Sequence, residues 1–187
     1  FLSIFKKRKY QNIGEAIMGF GLLFLGLSGL SSVFTPDQLG WMLNIKGTGV
    51  SAIILGFLIG IVVTALLHSS SAFSAIVITM AYNGLISWEL AAAMTLGSNV
   101  GSTVDSIMAS MGTSANGRRA ALIHVMFNLF GTIVVLCFLK PFLELVMFIT
   151  PGQENSNIAI RISMLHTVFN IITTCVMTPL SGKLVKI

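Results

Sequence analysis

Residues 47–88 are a run of 42 residues that contains no Asp, Glu, Lys or Arg. Because a helix rises about 1.5 Å per residue, about 20 residues cross a hydrocarbon core of about 30 Å. The run is therefore about twice as long as a single membrane span. The whole chain is 55% hydrophobic and only 9% charged, whereas soluble domains carry about 25% charged residues. These features predict an integral membrane protein whose long central run folds back on itself.

Four further charge-free runs mark the other predicted membrane segments, at residues 16–36, 90–104, 120–139 and 162–182. The run at 90–104 crosses the membrane only if it continues to about residue 114. Lipid cannot hydrogen-bond to open strand edges, so every segment is predicted to be helical. We therefore predict one all-α transmembrane domain over residues 1–187, with five or six helical passes and membrane lipid as a partner.

Eight of the eleven Lys and Arg residues fall into three clusters, at residues 6–9, at 118–119, and at 183 and 186, while Lys46, Lys140 and Arg161 occur singly and are expected on the opposite side of the membrane. All three clusters lie on one side of the membrane if residues 47–88 return to the side on which they start. The positive-inside rule makes that side cytoplasmic. The formal charge of +5 thus reflects topology, and nucleic acid is not a predicted partner. Both ends of the segment are expected on the cytoplasmic side of a plasma (inner) membrane.

The hairpin is predicted over about residues 47–84, with arms at about 50–67 and 72–82. The second arm ends at the turn signal Asn83-Gly84. An arm of eleven or so residues covers only about 16 Å, which is too short to cross the membrane. We therefore predict a re-entrant hairpin whose tip lies near mid-membrane. Non-helical backbone is tolerated there if it is buried in protein or lines a cavity.

Two pairs of glycines are spaced four residues apart. Gly56 and Gly60 are expected to let the two hairpin arms pack together. Gly97 and Gly101 fit either a packing groove or an unwound segment over residues 97–103, where an Asn and three hydroxyls weaken the helix. We predict a broken helix over about residues 88–112.

The polar residues of the hairpin tip are out of keeping with their apolar surroundings. An unpaired hydroxyl in hydrocarbon costs roughly 2–7 kcal/mol, so Ser69, Ser70 and Ser71, with His68 before them, need protein, water or a ligand as partners. A serine-rich turn with hydroxyls bonded back to the main chain is the alternative. Asp105 is an intramembrane carboxylate, for which a functional role is the default interpretation.

A His-x-x-Phe-Asn pattern occurs at residues 124–128 and again at 166–170. His and Asn at this spacing share one helix face, and we expect them to form hydrogen bonds with neighbouring helices. Ser69–Ser71 and His124 could supply the nucleophile and the base of a serine hydrolase, but the chain has no Gly-x-Ser-x-Gly nucleophile elbow. An enzyme is therefore not predicted.

Four stretches, taken in order, resemble one family. Residues 64–72 resemble the signature TAL(I/V)QSSSA of the sodium-dependent phosphate cotransporters of the type II family. Residues 96–103 resemble its LGxNIGTT, and residues 116–128 its RRAAxxHxxFN. Residues 16–27 are similar to the opening of its second half, GLGLLFLGL.

The resemblance implies one of two inverted repeats of a secondary transporter, the C-terminal half. Hairpins of the two repeats would meet at a central site for inorganic phosphate and sodium. We expect the other half upstream in the same polypeptide or in a second chain, since the chain starts at Phe1, and a dimer is a further candidate assembly. Sodium is the expected coupling ion, and no organic cofactor is expected.

The resemblance and the residue chemistry together assign the candidate site. Between residues 47 and 104 there is no Lys or Arg, so helix dipoles and hydroxyls alone would have to hold a multivalent anion. Co-bound cations can neutralise it, and each ligand then favours the other. The substrate-binding candidates are His68, Ser69, Ser70, Ser71, Asn99, Ser102 and Thr103. The sodium candidates are Ser70, Gly97, Asn99, Gly101 and Asp105.

Three departures from the family's pattern leave the ions and the anion open. His68 stands where the family has Gln, Ser98 where it has Ala or Glu, and Asp105 where it has Thr or a small residue. A non-transporting membrane scaffold subunit is one alternative function. A transporter of the same architecture for another anion or a proton-coupled solute is the other, favoured if Asp105 or His68 gates protons.

Overall fold

The computed structural model describes residues 8–33, 49–151 and 158–184. These residues form eight helices, α1 (Arg8–Val33), α2 (Val50–Leu67), α3 (Ser70–Tyr82), α4 (Trp88–Gly101), α5 (Thr103–Ser110), α6 (Ala115–Cys137), α7 (Leu139–Ile149) and α8 (Ile158–Leu184). The all-helical prediction is confirmed for the described residues. The predicted hairpin start at 47–48, the span end at 34–36 and the basic residues Lys6, Lys7 and Lys186 lie outside them.

Helix α4 is the centre of the bundle. Its sequence is rich in Ala, Gly and Ser, and every residue from Leu90 to Asn99 is buried. Small side chains allow four helices, α2, α3, α6 and α8, to pack around it. One apolar cluster includes Phe73, Val77 and Leu90 on the α3 side, and a second includes Leu96 and Phe169 on the α8 side.

The glycines of α2 pack against α4 and not against the second hairpin arm. A Cβ placed on Gly60 would overlap the Met94 carbonyl and lie 3.1 Å from the Cα of Gly97. A Cβ on Gly101 would lie 2.9 Å from the Cβ of Thr64. The predicted packing of one arm on the other through Gly56 and Gly60 is therefore wrong. A small-xxx-small pair makes a groove, but the periodicity does not say which helix fills it.

Helices α2 and α4 run in the same direction because α3 returns the chain between them. Residue numbers increase in the same direction along the contact between the two helices, since Gly60 faces Gly97 and Thr64 faces Gly101. Both pairs are separated by 37 positions. The connection back to α4 is the one that the sequence predicts, with Gly84 at a φ of 70° and Ser87 accepting a hydrogen bond from the Leu90 amide.

Three helices are long and apolar enough to cross a membrane, within the described residues: α2, α6 and α8, the last over Ile158–Pro179. Helix α3 is apolar but has 13 residues, about 20 Å of rise. Neither α1, within which most of the predicted span 16–36 lies, nor the α4–α5 segment meets the criterion. The chain is thus a helical membrane protein, and the five or six crossings and the re-entrant insertion stay predictions.

Candidate functional site

The hairpin tip is a two-residue connection between α2 and α3. His68 ends α2 in the left-handed conformation, with φ 51° and ψ 29°, and Ser69 caps α3 by accepting a hydrogen bond from the Ala72 amide at 3.2 Å. The left-handed conformation costs an L-residue roughly 1–2 kcal/mol. His68 is the one non-glycine residue with positive φ in the described ranges, so tertiary contacts must hold it.

The contact that holds His68 comes from α5. His68 Nδ1 and Asp105 Oδ1 lie 2.6 Å apart, the distance of a strong hydrogen bond from the ring nitrogen to the carboxylate. The two residues are again 37 positions apart, so the pair continues the register of Gly60 with Gly97 and of Thr64 with Gly101. Two of the three departures from the family's pattern therefore contact each other.

The segment over residues 97–103, for which an unwound backbone was one of the two predictions, is helical except at its break. Residues 97–101 remain helical, and the interruption is confined to Ser102, which keeps helical angles of φ −64° and ψ −17°. The Ser102 amide still bonds to Ser98 O, so the carbonyls of this segment are not freed. Residues 88–110 form α4 and α5, separated at Ser102. Close packing against α2 favours a continuous helix at Gly97 and Gly101, so the interruption falls after them.

The hydroxyls of Ser102 and Thr103 donate hydrogen bonds to their own helix. Ser102 Oγ donates to Asn99 O at 2.9 Å, and Thr103 Oγ1 donates to Val100 O at 2.7 Å. With their protons used in this way, both oxygens keep acceptor lone pairs. Acceptor oxygens suit a hard cation better than they suit phosphate.

Asn99 connects the central helix to α8. Its Oδ1 lies 2.9 Å from His166 Nε2, and the ring nitrogen donates this hydrogen bond. The side chain is buried, and its Nδ2 has no hydrogen-bond partner among the described residues. An unpaired buried donor costs about 1–3 kcal/mol, so the amide N–H is available to a ligand.

Two further buried polar atoms, on α2 and α4, were missed by sequence reasoning as candidate site atoms. Thr64 Oγ1 and Ser98 Oγ are fully buried and have no hydrogen-bond partner in the described part of the chain. Thr64 precedes His68 by one helical turn, about 6 Å of rise. Its place as the first residue of the family signature was the one signal that could have pointed to it.

The repeated His/Asn pattern acts through its histidines. His166 contacts Asn99 on α4, and His124 Nδ1 lies 2.6 Å from Ser106 Oγ on α5. The interhelical prediction is therefore confirmed for both histidines. It is wrong for Asn128 and Asn170, which donate instead to the carbonyl of the histidine one turn earlier in their own helix.

The predicted site residues gather at one end of the α2–α4 pair. His68 and Asp105 are in contact, and the hydroxyls of Ser70 and Ser71 at the first turn of α3 have no side-chain hydrogen bond to any described residue. Asn99, by contrast, is turned towards α8. No cluster of three or more His, Cys, Asp or Glu residues fit to hold a metal is found in the described ranges.

A bundle of apolar helices with buried, unpaired polar atoms near a helical hairpin defines a membrane protein with a polar site among its helices. The sequence profile described as Na+/Pi-cotransporter matches residues 41–174. The chain belongs to this Na+/Pi-cotransporter family. No solved structure matches it.

Relatives cover from about two thirds to nearly all of the chain, but the chain covers only part of each of them. It is 28% identical to the uncharacterized protein YqeW of Bacillus subtilis over 177 residues, 92% of this chain and 55% of that protein. It is 27% identical to the putative inorganic phosphate export protein YjbB of Escherichia coli over 175 residues, 93% of this chain and 31% of that protein. It is 33% identical to sodium-dependent phosphate transport protein 2B of Rattus norvegicus over 131 residues, 68% of this chain and 18% of that protein.

Proposed function

We propose that this chain is one repeat half of a sodium-coupled transporter of inorganic phosphate, with its ligand site at the tip of the α2–α3 hairpin. Membership of the Na+/Pi-cotransporter family supports the class of substrate. The names of the relatives, phosphate export for YjbB and sodium-dependent phosphate transport for protein 2B, support the same class. The chain spans about half of the B. subtilis relative and about a third of the E. coli relative, so the other half would complete the site.

The observation that carries the proposal is the set of unpaired polar groups around the tip. Ser69 caps α3 as an acceptor, which leaves its proton free, and the hydroxyls of Ser70 and Ser71 are both unpaired among the described residues. Main-chain N–H groups in the first turn of a helix have no partner in that helix and carry its positive dipole end. A phosphate at the tip would receive these N–H and O–H donors together.

Sodium would bind where acceptor oxygens collect below the tip. The Ser102 and Thr103 hydroxyls donate to carbonyls and keep their lone pairs, and the Asp105 carboxylate is the one acid between residues 90 and 143. We therefore assign Ser102 and Thr103 to the cation. Gly97 and Gly101 make close contacts with α2 that leave no room for an ion between the two helices, so their role is packing.

Asn99 would contribute its free amide N–H to the anion while its carbonyl oxygen is held by His166. The fixed orientation matters because an amide that flipped would offer an acceptor to phosphate and repel it. A cation near Asp105 and an anion near Asn99 and the serines attract each other, which is the physical basis of coupled binding.

The test is phosphate flux in proteoliposomes that contain the full-length source protein. Radiolabelled phosphate is followed in both directions under an inward Na+ gradient, with a K+ gradient as control, for the wild type and for Ser69→Ala/Ser70→Ala/Ser71→Ala. We expect Na+-dependent flux that the triple substitution reduces at least tenfold, since each lost hydrogen bond to a charged ligand contributes about 1.5–3 kcal/mol. Well-folded wild type without Na+-dependent phosphate flux would overturn the proposal and favour the scaffold function.

Proton coupling is a second candidate, and the His68–Asp105 contact favours it. Histidine is the side chain whose charge changes most readily near neutral pH, and here it adjoins a carboxylate at 2.6 Å. In the same proteoliposomes, flux driven by an inward proton gradient without Na+ would favour this candidate over sodium coupling.

A further inference from the structure

We propose that His68 is a positioning residue that engages the Asp105 carboxylate and thereby allows an anion to bind at the hairpin tip. The proposal rests on the proposed phosphate site at this tip. Among the described residues, Asp105 is the acid that contacts the tip, and its carboxylate would repel phosphate when neither a donor nor a cation engages it. The role needs only the imidazole N–H as donor, so it does not depend on the charge of His68.

The first support is that the His68–Asp105 contact is the link between the tip and α5. Among the described residues, it is the one side-chain hydrogen bond that joins residues 68–71 to another helix. Both side chains are about half exposed, 51% for His68 and 44% for Asp105. The pair is therefore open to its surroundings rather than sealed in the core, and Ser71 in the first turn of α3 is exposed as well.

The second support is the register of the helices. Gly60 with Gly97 and Thr64 with Gly101 fix α2 against α4 through contacts that tolerate no larger residue. Each step of four residues along both helices repeats the pairing, and the next step brings position 68 opposite position 105. The packing of α2 on α4 thus brings positions 68 and 105 near each other, and the hydrogen bond between their side chains completes the contact.

The third support is that no basic side chain other than His68 lies against Asp105 in the described part of the chain. Within the described residues, no Lys or Arg lies within 4.0 Å of its carboxylate. Arg118 and Arg119 begin α6 and are exposed, and Arg119 lies five residues, about 7.5 Å of rise, from His124. His124 itself contacts Ser106 and not Asp105. His68 is the partner that the fold supplies.

Substituting His68 separates this role from a purely structural one. With His68→Ala, the freed carboxylate opposes anion binding, so the phosphate KM rises about tenfold, which corresponds to ~1.4 kcal/mol, while the maximal rate stays near that of the wild type. His68→Gln retains an N–H donor and keeps the wild-type KM. Adding Asp105→Asn to His68→Ala removes the repelling charge, so the phosphate KM returns towards the wild type at saturating Na+. The Na+ dependence of flux weakens in this double variant, because Asp105 is also a proposed sodium ligand.

The matched control is His124→Ala, which removes the other histidine that contacts α5 and leaves the Asp105 pair intact. All variants are measured as full-length protein in proteoliposomes, with inorganic phosphate as the ligand and thermal unfolding recorded for each. We expect His124→Ala to keep the wild-type phosphate KM. An equal rise in KM for His124→Ala would show a general effect of α5 contacts and would refute the proposal.

Failure of this proposal is distinct from failure of the proposed function. Wild type without Na+-dependent phosphate flux overturns the transport function itself. Wild-type flux with an unchanged KM in His68→Ala, or with no recovery in the double variant, overturns only the role of His68. If His68→Ala does not fold, His68→Gln decides, because a raised KM in that variant contradicts a role that needs only an N–H donor.

Discussion

The close contact of α2 with α4 predicts that an alanine at position 97 destabilises the protein although alanine is the better helix former. A Cβ on Gly97 would overlap the carbonyl oxygen of Phe57 and lie 3.1 Å from the Cα of Gly60. All of these neighbours are main-chain atoms, which cannot rotate away. The two helices would have to move apart, and overpacking of this kind costs about 1–3 kcal/mol.

A matched substitution isolates this cost. Gly19 lies in α1 with nothing within 4 Å of its would-be Cβ, so Gly19→Ala gains helix propensity, about 1 kcal/mol, without a clash. Gly97→Ala gains the same propensity and adds the clash. The difference between the two variants is therefore the overpacking cost alone, because the propensity gain cancels.

Thermal unfolding of the full-length protein in nanodiscs, followed by circular dichroism, measures this difference. A chain of this size shifts its Tm by about 2–4 °C per kcal/mol, so we expect Gly97→Ala to unfold about 2–12 °C below Gly19→Ala. Equal Tm values for the two variants would refute the reasoning, because they would mean that α2 and α4 are not in main-chain contact at this position.

Three further predictions test single contacts. Ser87→Ala removes the cap that accepts from the Leu90 amide and should lower the free energy of unfolding by about 1 kcal/mol, as seen in denaturant titration. Asn99→Leu removes the partner of His166 and the proposed donor to phosphate, so phosphate flux should be lost while the bundle still folds, as judged by size-exclusion chromatography. Ser102→Ala removes a proposed cation ligand and should weaken the Na+ dependence of flux more than the phosphate KM; an effect on the phosphate KM alone would contradict that assignment.

The helices of the hairpin could be predicted from local signals. The serines that follow position 68 divide the charge-free run and end the first arm, and the predicted 50–67 agrees with α2 (Val50–Leu67). The second arm begins at Ser70, two residues earlier than predicted. Ser69 is the N-cap of α3, so Ser70 and Ser71 lie in its first turn. Capping and turn residues act on main-chain atoms a few positions away, so helix ends can be predicted from the sequence.

The contacts between helices could not be predicted in the same way. The Gly56 and Gly60 pair marks a groove that we expected the second hairpin arm to fill. Helix α4 fills it instead, because its glycines at 97 and 101 provide a matching groove. The same match keeps residues 97–101 helical where their composition favoured an unwound segment. Composition describes the preference of an isolated segment, and packing in the bundle outweighs it here.

The site at the hairpin tip is therefore positioned by glycines that take no part in its chemistry. The register that sets Gly60 against Gly97 and Thr64 against Gly101 also brings position 68 near position 105, so we expect these two residues to tolerate changes that keep a donor paired with an acceptor. His68 with Asp105 is one such combination, a donor paired with an acceptor. An acid at 105 without a donor at 68 would leave a bare charge beside an anion site, whereas a larger residue at 60 or 97 would move the tip itself. We therefore expect substitutions at 68 and 105 to alter ligand binding at the proposed site, and larger residues at the glycines to force α2 and α4 apart.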